Sequence, residues 1–131
     1  MAHLLTKSYG NLQVAEVLVK IDDFGHASSI HCGYYACFQL IIHIFKNVIN
    51  PPKEIPIDKS MHSFALKHMF VELGKIDRNF AGIFNDDFGA LKDLRIDSDY
   101  KDMPIDKPKA EKAYTIAKKL YSGMETAFSI R

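Results

Sequence analysis

Residues 30–49 carry an apolar side chain at almost every position around a helical wheel, and that stretch constrains the fold more than any other part of the chain. Ile30, Tyr34, Tyr35, Phe38, Leu40, Ile41, Ile42, Ile44 and Phe45 cover most of its circumference. A helix that is apolar nearly all round has to be enclosed, either at the centre of a bundle or in a subunit interface. It does not read as a membrane span. His31, Gln39, His43, Lys46 and Asn47 interrupt it, whereas a span needs about 20 nearly unbroken apolar residues. The pattern predicts a buried helix that starts near Ser28 or Ser29 and stops before Pro51-Pro52.

The remaining segments supply helices to surround it. Asn11 can cap a first helix running to about Asp23, with Leu12, Val14, Ala15, Val17, Leu18 and Ile21 as its apolar positions. Residues 1–10 then form a short N-terminal segment that can be flexible, without the long apolar core of a signal peptide. Gly25 suits a left-handed position after that helix. A third helix is expected over residues 60–73, with Phe64, Met69, Phe70 and Leu73 facing inward and Gly74 as its stop. Asp77 can cap a fourth, in which Phe80, Phe84, Phe88, Leu91 and Leu94 recur at helical spacing. It should end between Ser98 and Tyr100, before Pro104. Asp106 as cap and Pro108 in the first turn open a fifth, striped by Ala110, Ala113, Tyr114, Ala117, Leu120, Tyr121, Met124 and Phe128. No segment alternates with period two between turn signals. The fold expected is all-α, an up-and-down bundle of four to five helices in one domain spanning residues 1–131.

Composition agrees with that and excludes several functions. A chain of 131 residues buries roughly two-thirds of its unfolded surface, enough for a core without metals or disulfides. A formal net charge of +1 removes any global electrostatic case for nucleic acid or membrane. Cys32 and Cys37 lie about 140° apart around a helix, so they cannot bridge within it. They read as buried free thiols of a cytoplasmic protein. A Cys–His nucleophilic pair at Cys37 has nothing in the sequence to support it. His26, His31, His43, His62 and His68 include no His-x-x-x-His pair and no local cysteine or carboxylate set, so no metal is expected. There is no glycine-rich phosphate loop, and no cofactor is expected. Lysines 101, 107, 109, 112, 118 and 119 make the C-terminal region basic, but interspersed acids make it a solvated helix face.

The unusual polar cluster is Arg95-Ile96-Asp97-Ser98-Asp99-Tyr100. One reading is structural, with Arg95 paired to an acid and the Tyr100 ring packed. In the other, a guanidinium and a phenol at a helix end hold a phosphate. Asp99 is four residues beyond Arg95, a spacing that permits an ion pair.

Three segments in this order resemble the HEPN superfamily, named for nucleotide binding in higher eukaryotes and prokaryotes. Tyr34-Tyr35-Ala36-Cys37-Phe38 is similar to the Tyr-Tyr-Ala-x-Phe of its second helix. Lys59-Ser60-Met61-His62-Ser63 resembles the histidine-bearing start of its third. Leu94-Arg95-Ile96-Asp97-Ser98-Asp99-Tyr100 resembles the Leu-Arg-x-x-x-Asp-Tyr that ends its fourth, and residues 109–128 its final alanine-rich helix.

The resemblance implies a helical bundle, commonly a homodimer. Many members are RNases of toxin–antitoxin or defence systems, some with a small nucleotidyltransferase as partner protein. Their active site is an Arg followed after four to six residues by His, in which histidine moves the proton of an RNA hydroxyl and arginine stabilises phosphate charge. Here the motif is missing. After Arg78 those positions hold Ile83, Phe84 and Asn85, after Arg95 they hold Tyr100, Lys101 and Asp102, and no histidine follows His68. An unperturbed tyrosine, with a pKa of about 10, shuttles protons poorly at neutral pH. The expectation is therefore a non-catalytic HEPN-like domain binding RNA, a nucleotide or a partner protein through His62, Arg95, Asp99 and Tyr100. The alternatives are a metal-independent RNase using His62, Arg95 and Tyr100, and a purely structural interaction module. A homodimer is expected with the long second helix in its interface.

Overall fold

A computed structural model describes residues 3–21, 25–101 and 104–130. It contains five helices: α1 (His3–Val19), α2 (His26–Asn47), α3 (Met61–Gly74), α4 (Arg78–Tyr100) and α5 (Lys107–Ala127), with no strand among the described residues. The chain is an all-α helical bundle, and among the described residues no helix is long and apolar enough to cross a membrane.

The helix α2 packs substantially against all four others, which is how its apolar circumference is accommodated. Ile30, Tyr34, Phe38, Leu40, Ile41, Ile44 and Phe45 are buried within the one chain. Tyr35 and Ile42 on the same helix are half-buried and pack against that core. Pairings between side chains set the directions. Ser29 meets Ala15 and Asn11 meets Gln39, so α1 runs antiparallel to α2. Ser98 meets Ala27 and Phe88 stacks on Tyr34, so α4 does the same. Gly33 is the point of closest approach: a Cβ there would lie 3.2 Å from that of Ala117 and 3.9 Å from that of Ala15, so three small residues let α1, α2 and α5 draw together.

The expected caps of the last two helices form. The Asp77 carboxylate accepts from the Phe80 amide at 3.1 Å and that of Asp106 from the Lys109 amide at 3.0 Å. The N-terminal half departs from expectation. Residues 3–10, read as a segment ahead of the first helix, are helical, and Ser8 is fully buried. Asn11 sits in mid-helix and donates to Gln39 at 2.8 Å. The expected end at Asp23 lies outside the described residues.

Gly25 is right-handed, with φ −89°, and stands at the start of α2 rather than in a left-handed turn. Its small size matters because a Cβ would lie 2.3 Å from the Leu18 carbonyl oxygen. The helix begins at His26 rather than near Ser28 or Ser29, and Ser29 lies inside it, buried and donating to the Ala15 carbonyl at 2.7 Å. The α1 face that packs carries Ser8, Ala15 and Val19, leaving Val14, Val17 and Ile21 exposed. On α3, Phe70 is likewise exposed, while Met69 and Leu73 are buried. Of the two thiols, both free, Cys37 is buried and Cys32 half-buried.

Candidate functional site

The buried stripe of α4 runs Phe84, Phe88, Leu91 and then Arg95, in steps of four, three and four. The arginine occupies the next core position after three apolar ones and is only 6% exposed. It is placed there by the same periodicity that places the phenylalanines. Beneath it lies Tyr34, whose ring stacks on Phe88 at 5.3 Å and whose centroid is 4.9 Å from the guanidinium carbon. Tyr35 at 5.8 Å and Tyr100 at 5.4 Å complete an aromatic enclosure. Such ring faces attract a cation, by about 2 kcal/mol when desolvated.

Polar satisfaction of that cation is poor. The Arg95 Nη1 reaches the Tyr100 hydroxyl at 3.4 Å and the Asp99 carboxylate at 3.7 Å, both at the outer limit of useful contact. Its Nε is buried without a hydrogen-bond partner among the described residues. The expected Arg95–Asp99 pair forms, but the same Asp99 oxygen lies closer to His31 Nδ1, at 2.9 Å. Asp99 therefore bridges an arginine and a histidine while leaning toward the histidine.

His62, from the first turn of α3, enters from the other side. Its Nδ1 is 2.7 Å from the Tyr34 hydroxyl, and its ring stacks on Phe38 with centroids 4.4 Å apart. Burial pulls its pKa below the usual histidine range, and the nearby charges of Arg95 and Lys92 push the same way. Burial also holds the Tyr34 phenol well above its ordinary value, with Arg95 opposing that shift.

Arg95, Asp99, Tyr100 and His62 thus lie within one continuous cluster, with Tyr34 as the link: Arg95 covers its ring and His62 binds its hydroxyl. The guanidinium is covered, and what is open to solvent is the rim of Tyr100, 72% exposed, and the half-exposed His31. A cavity of about 310 Å³ lined by Ala27, Ser28, His31, Cys32 and Asp99 adjoins that rim. A larger hollow, about 800 Å³, lies at the opposite end of α4 beside Asp77, Arg78 and Gly123, away from these groups.

Two participants escaped the sequence reading. Tyr34 was legible only as core and as part of a motif, and His31 only as one of several ordinary histidines. The available signal was spacing: positions 31, 34, 35 and 38 lie on one side of α2, so the histidine and the aromatics share a face. Among the described residues no group of three His, Cys, Asp or Glu side chains is arranged to hold a metal ion. Comparison with family models, with curated proteins and with solved structures found no match.

Proposed function

We propose that this chain is a HEPN-like, non-catalytic binding domain whose Arg95, His62, Asp99 and Tyr100 cluster takes a phosphate group of RNA or of a nucleotide. The observation that carries the reading is the state of Arg95. A buried cation ordinarily demands excellent partners, whereas this one has, among the described residues, two long contacts and an Nε without a partner. A phosphate offers several acceptor oxygens and matches a guanidinium fork, with charge-assisted bonds roughly twice as strong as neutral ones. Displacing the Tyr100 ring opens the way to it, and exposed Tyr100 and His31 offer rings on which an unpaired base can stack.

The resemblance of three ordered segments to HEPN domains supports the same class of ligand and extends the proposal to a toxin–antitoxin or defence setting with a nucleotidyltransferase partner. A homodimer, which the resemblance also implies, has to use a surface other than the buried face of α2.

The test is fluorescence anisotropy with a labelled single-stranded RNA, in chelator, at two salt concentrations. The wild type should bind saturably and more weakly at high salt. Arg95→Ala should weaken binding about 10- to 100-fold, the worth of one or two hydrogen bonds to a charged group. The RNA should stay intact. Cleavage that disappears in His62→Ala would instead establish the RNase reading. Absence of both binding and cleavage would leave the interaction module.

A further inference from the structure

We infer that Tyr34 is a positioning residue: its hydroxyl holds His62 in the tautomer whose outer nitrogen, Nε2, carries the proton, so that His62 offers a phosphate oxygen of the ligand a neutral hydrogen-bond donor. The inference rests on the binding reading above and identifies how one residue of that site works.

Tyr34 Oη and His62 Nδ1 are 2.7 Å apart, a short bond that has two possible directions. In one, the imidazole donates from Nδ1 and the phenol accepts. The phenol's own proton then needs another acceptor, and Tyr34 is fully buried, stacked against Phe88 and Phe38, with no second hydrogen bond among the described residues. An unmet buried donor costs about 1–3 kcal/mol. In the other direction the phenol donates to the Nδ1 lone pair and both groups are satisfied. A neutral imidazole has one N–H, so acceptance at Nδ1 puts the proton on Nε2.

The surroundings favour the same arrangement. Among the described residues, the groups that face His62 are Tyr34, Tyr35 and Phe38 from α2 and Arg95 and Lys92 from α4. None of these is an acid that would favour a second proton on the ring. Burial holds the Tyr34 phenol well above its ordinary pKa, with Arg95 over its ring only opposing that shift, so the phenol keeps its proton to donate toward Nδ1. His62 so held cannot take a proton at Nε2 without first changing tautomer. It therefore serves as a donor to a bound acceptor rather than as a base.

The experiment combines spectroscopy and binding on the full chain. Long-range proton–nitrogen NMR on nitrogen-labelled protein near neutral pH reports which ring nitrogen of His62 is protonated. The wild type should show Nε2–H, and Tyr34→Phe should show a mixture. In the same samples Tyr34→Phe should bind the labelled single-stranded RNA about two- to ten-fold more weakly, the worth of one neutral hydrogen bond. His62→Gln, whose amide can donate from a similar place, should retain more binding than His62→Leu, and this pair decides the donor role if Tyr34→Phe folds poorly. A wild-type His62 protonated at Nδ1, or His62→Leu binding as well as His62→Gln, overturns the inference. If wild-type protein binds no RNA, the ligand role falls with the binding reading, while the tautomer spectrum still decides whether Tyr34 positions the ring.

Discussion

Buried polar groups occur on both sides of α2, and the two sides treat them differently. Toward α1 and α5 every described buried hydroxyl or thiol is paired at short range. Ser8 and Tyr121 share a bond of 2.7 Å, Ser8 also donates to the Leu5 carbonyl at 2.7 Å, Ser29 donates to the Ala15 carbonyl at 2.7 Å, and the Cys37 thiol meets the Ala117 carbonyl at 3.3 Å. These partners are uncharged, and small residues such as Gly33 bring the backbones close enough to make them. Toward α3 and α4 the Tyr34 hydroxyl is also paired, with His62 at 2.7 Å, but beside it lies a full charge, Arg95, with contacts at 3.4 and 3.7 Å and one nitrogen without a partner among the described residues. A satisfied buried network rigidifies a fold, and a half-satisfied one is costly. The first side therefore holds the bundle together. The second bears an unmet demand for an acceptor, which is the physical content of a binding site.

The largest effect that separates the two sides is on stability. Tyr121 is 1% exposed, packs edge-on against Tyr9 at 5.7 Å and pairs with Ser8. Tyr121→Ala should cost about 3–5 kcal/mol, the usual price of truncating a buried aromatic, measured by urea unfolding. RNA affinity of the protein that remains folded should not change. A loss below about 1 kcal/mol would mean that the α1–α5 seam contributes little, and the contrast between the sides would fail.

Arg95→Met probes the other side, with the opposite signature. Replacing an ill-paired buried charge by an apolar side chain of similar length is often neutral or stabilising. Asp99 keeps His31 at 2.9 Å, so it is not stranded. The expected result is an unfolding midpoint equal to or above that of the wild type, together with RNA binding weakened about 10- to 100-fold. A destabilisation of about 3 kcal/mol or more would make Arg95 a structural residue and remove the observation on which the functional reading stands.

How much of this was legible in the sequence differs between the same two sides. Helix identities, the caps at Asp77 and Asp106 and the enclosure of α2 followed from periodicity and turn chemistry, because those signals are local. The start of α1 was misread because Asn11 looks like a cap. Its side chain instead binds Gln39 on the neighbouring helix, and that tertiary contact outweighs the local preference. The exposed Val14 and Val17 misled in the same way: an apolar residue need not be inward, and it was Ser8, paired with Tyr121, that marked the packed face. At the site, Arg95, Asp99, Tyr100 and His62 were proposed from their types and order. What could not be read was the role of Tyr34. A residue that is core by its ring and site by its hydroxyl looks, in one dimension, only like core. The burial of Arg95 was available, since it continues the Phe84, Phe88, Leu91 spacing, but a charged residue at that spacing is easily assigned to solvent.

The smallest expected effect concerns pH, and it tests whether the α3 side of the cluster is as poorly suited to charge as its geometry implies. The folded protein holds the pKa of His62 below the ordinary value of 6.5, through burial first and then through Arg95 and Lys92. In the unfolded chain that histidine takes up its proton near the ordinary value. As pH falls below about 6.5 the unfolded state therefore binds more protons than the folded one, and stability declines until the folded-state value is passed. Above 6.5 this contribution is fully present. His43 and His68 are shifted downward as well, both chiefly by burial, so the wild-type decline alone does not isolate His62. Thermal unfolding of wild type and His62→Gln at pH 7.5 and pH 5.5 does, because the other two histidines act equally in both proteins. The wild type should lose a few degrees more on acidification than His62→Gln. Equal losses would mean that protonated His62 is tolerated in the cluster, through a carboxylate such as Asp99 swinging toward it. The site would then be able to shuttle a proton, and the contrast between a neutral, satisfied seam and a charge-averse binding site would give way to the catalytic alternative.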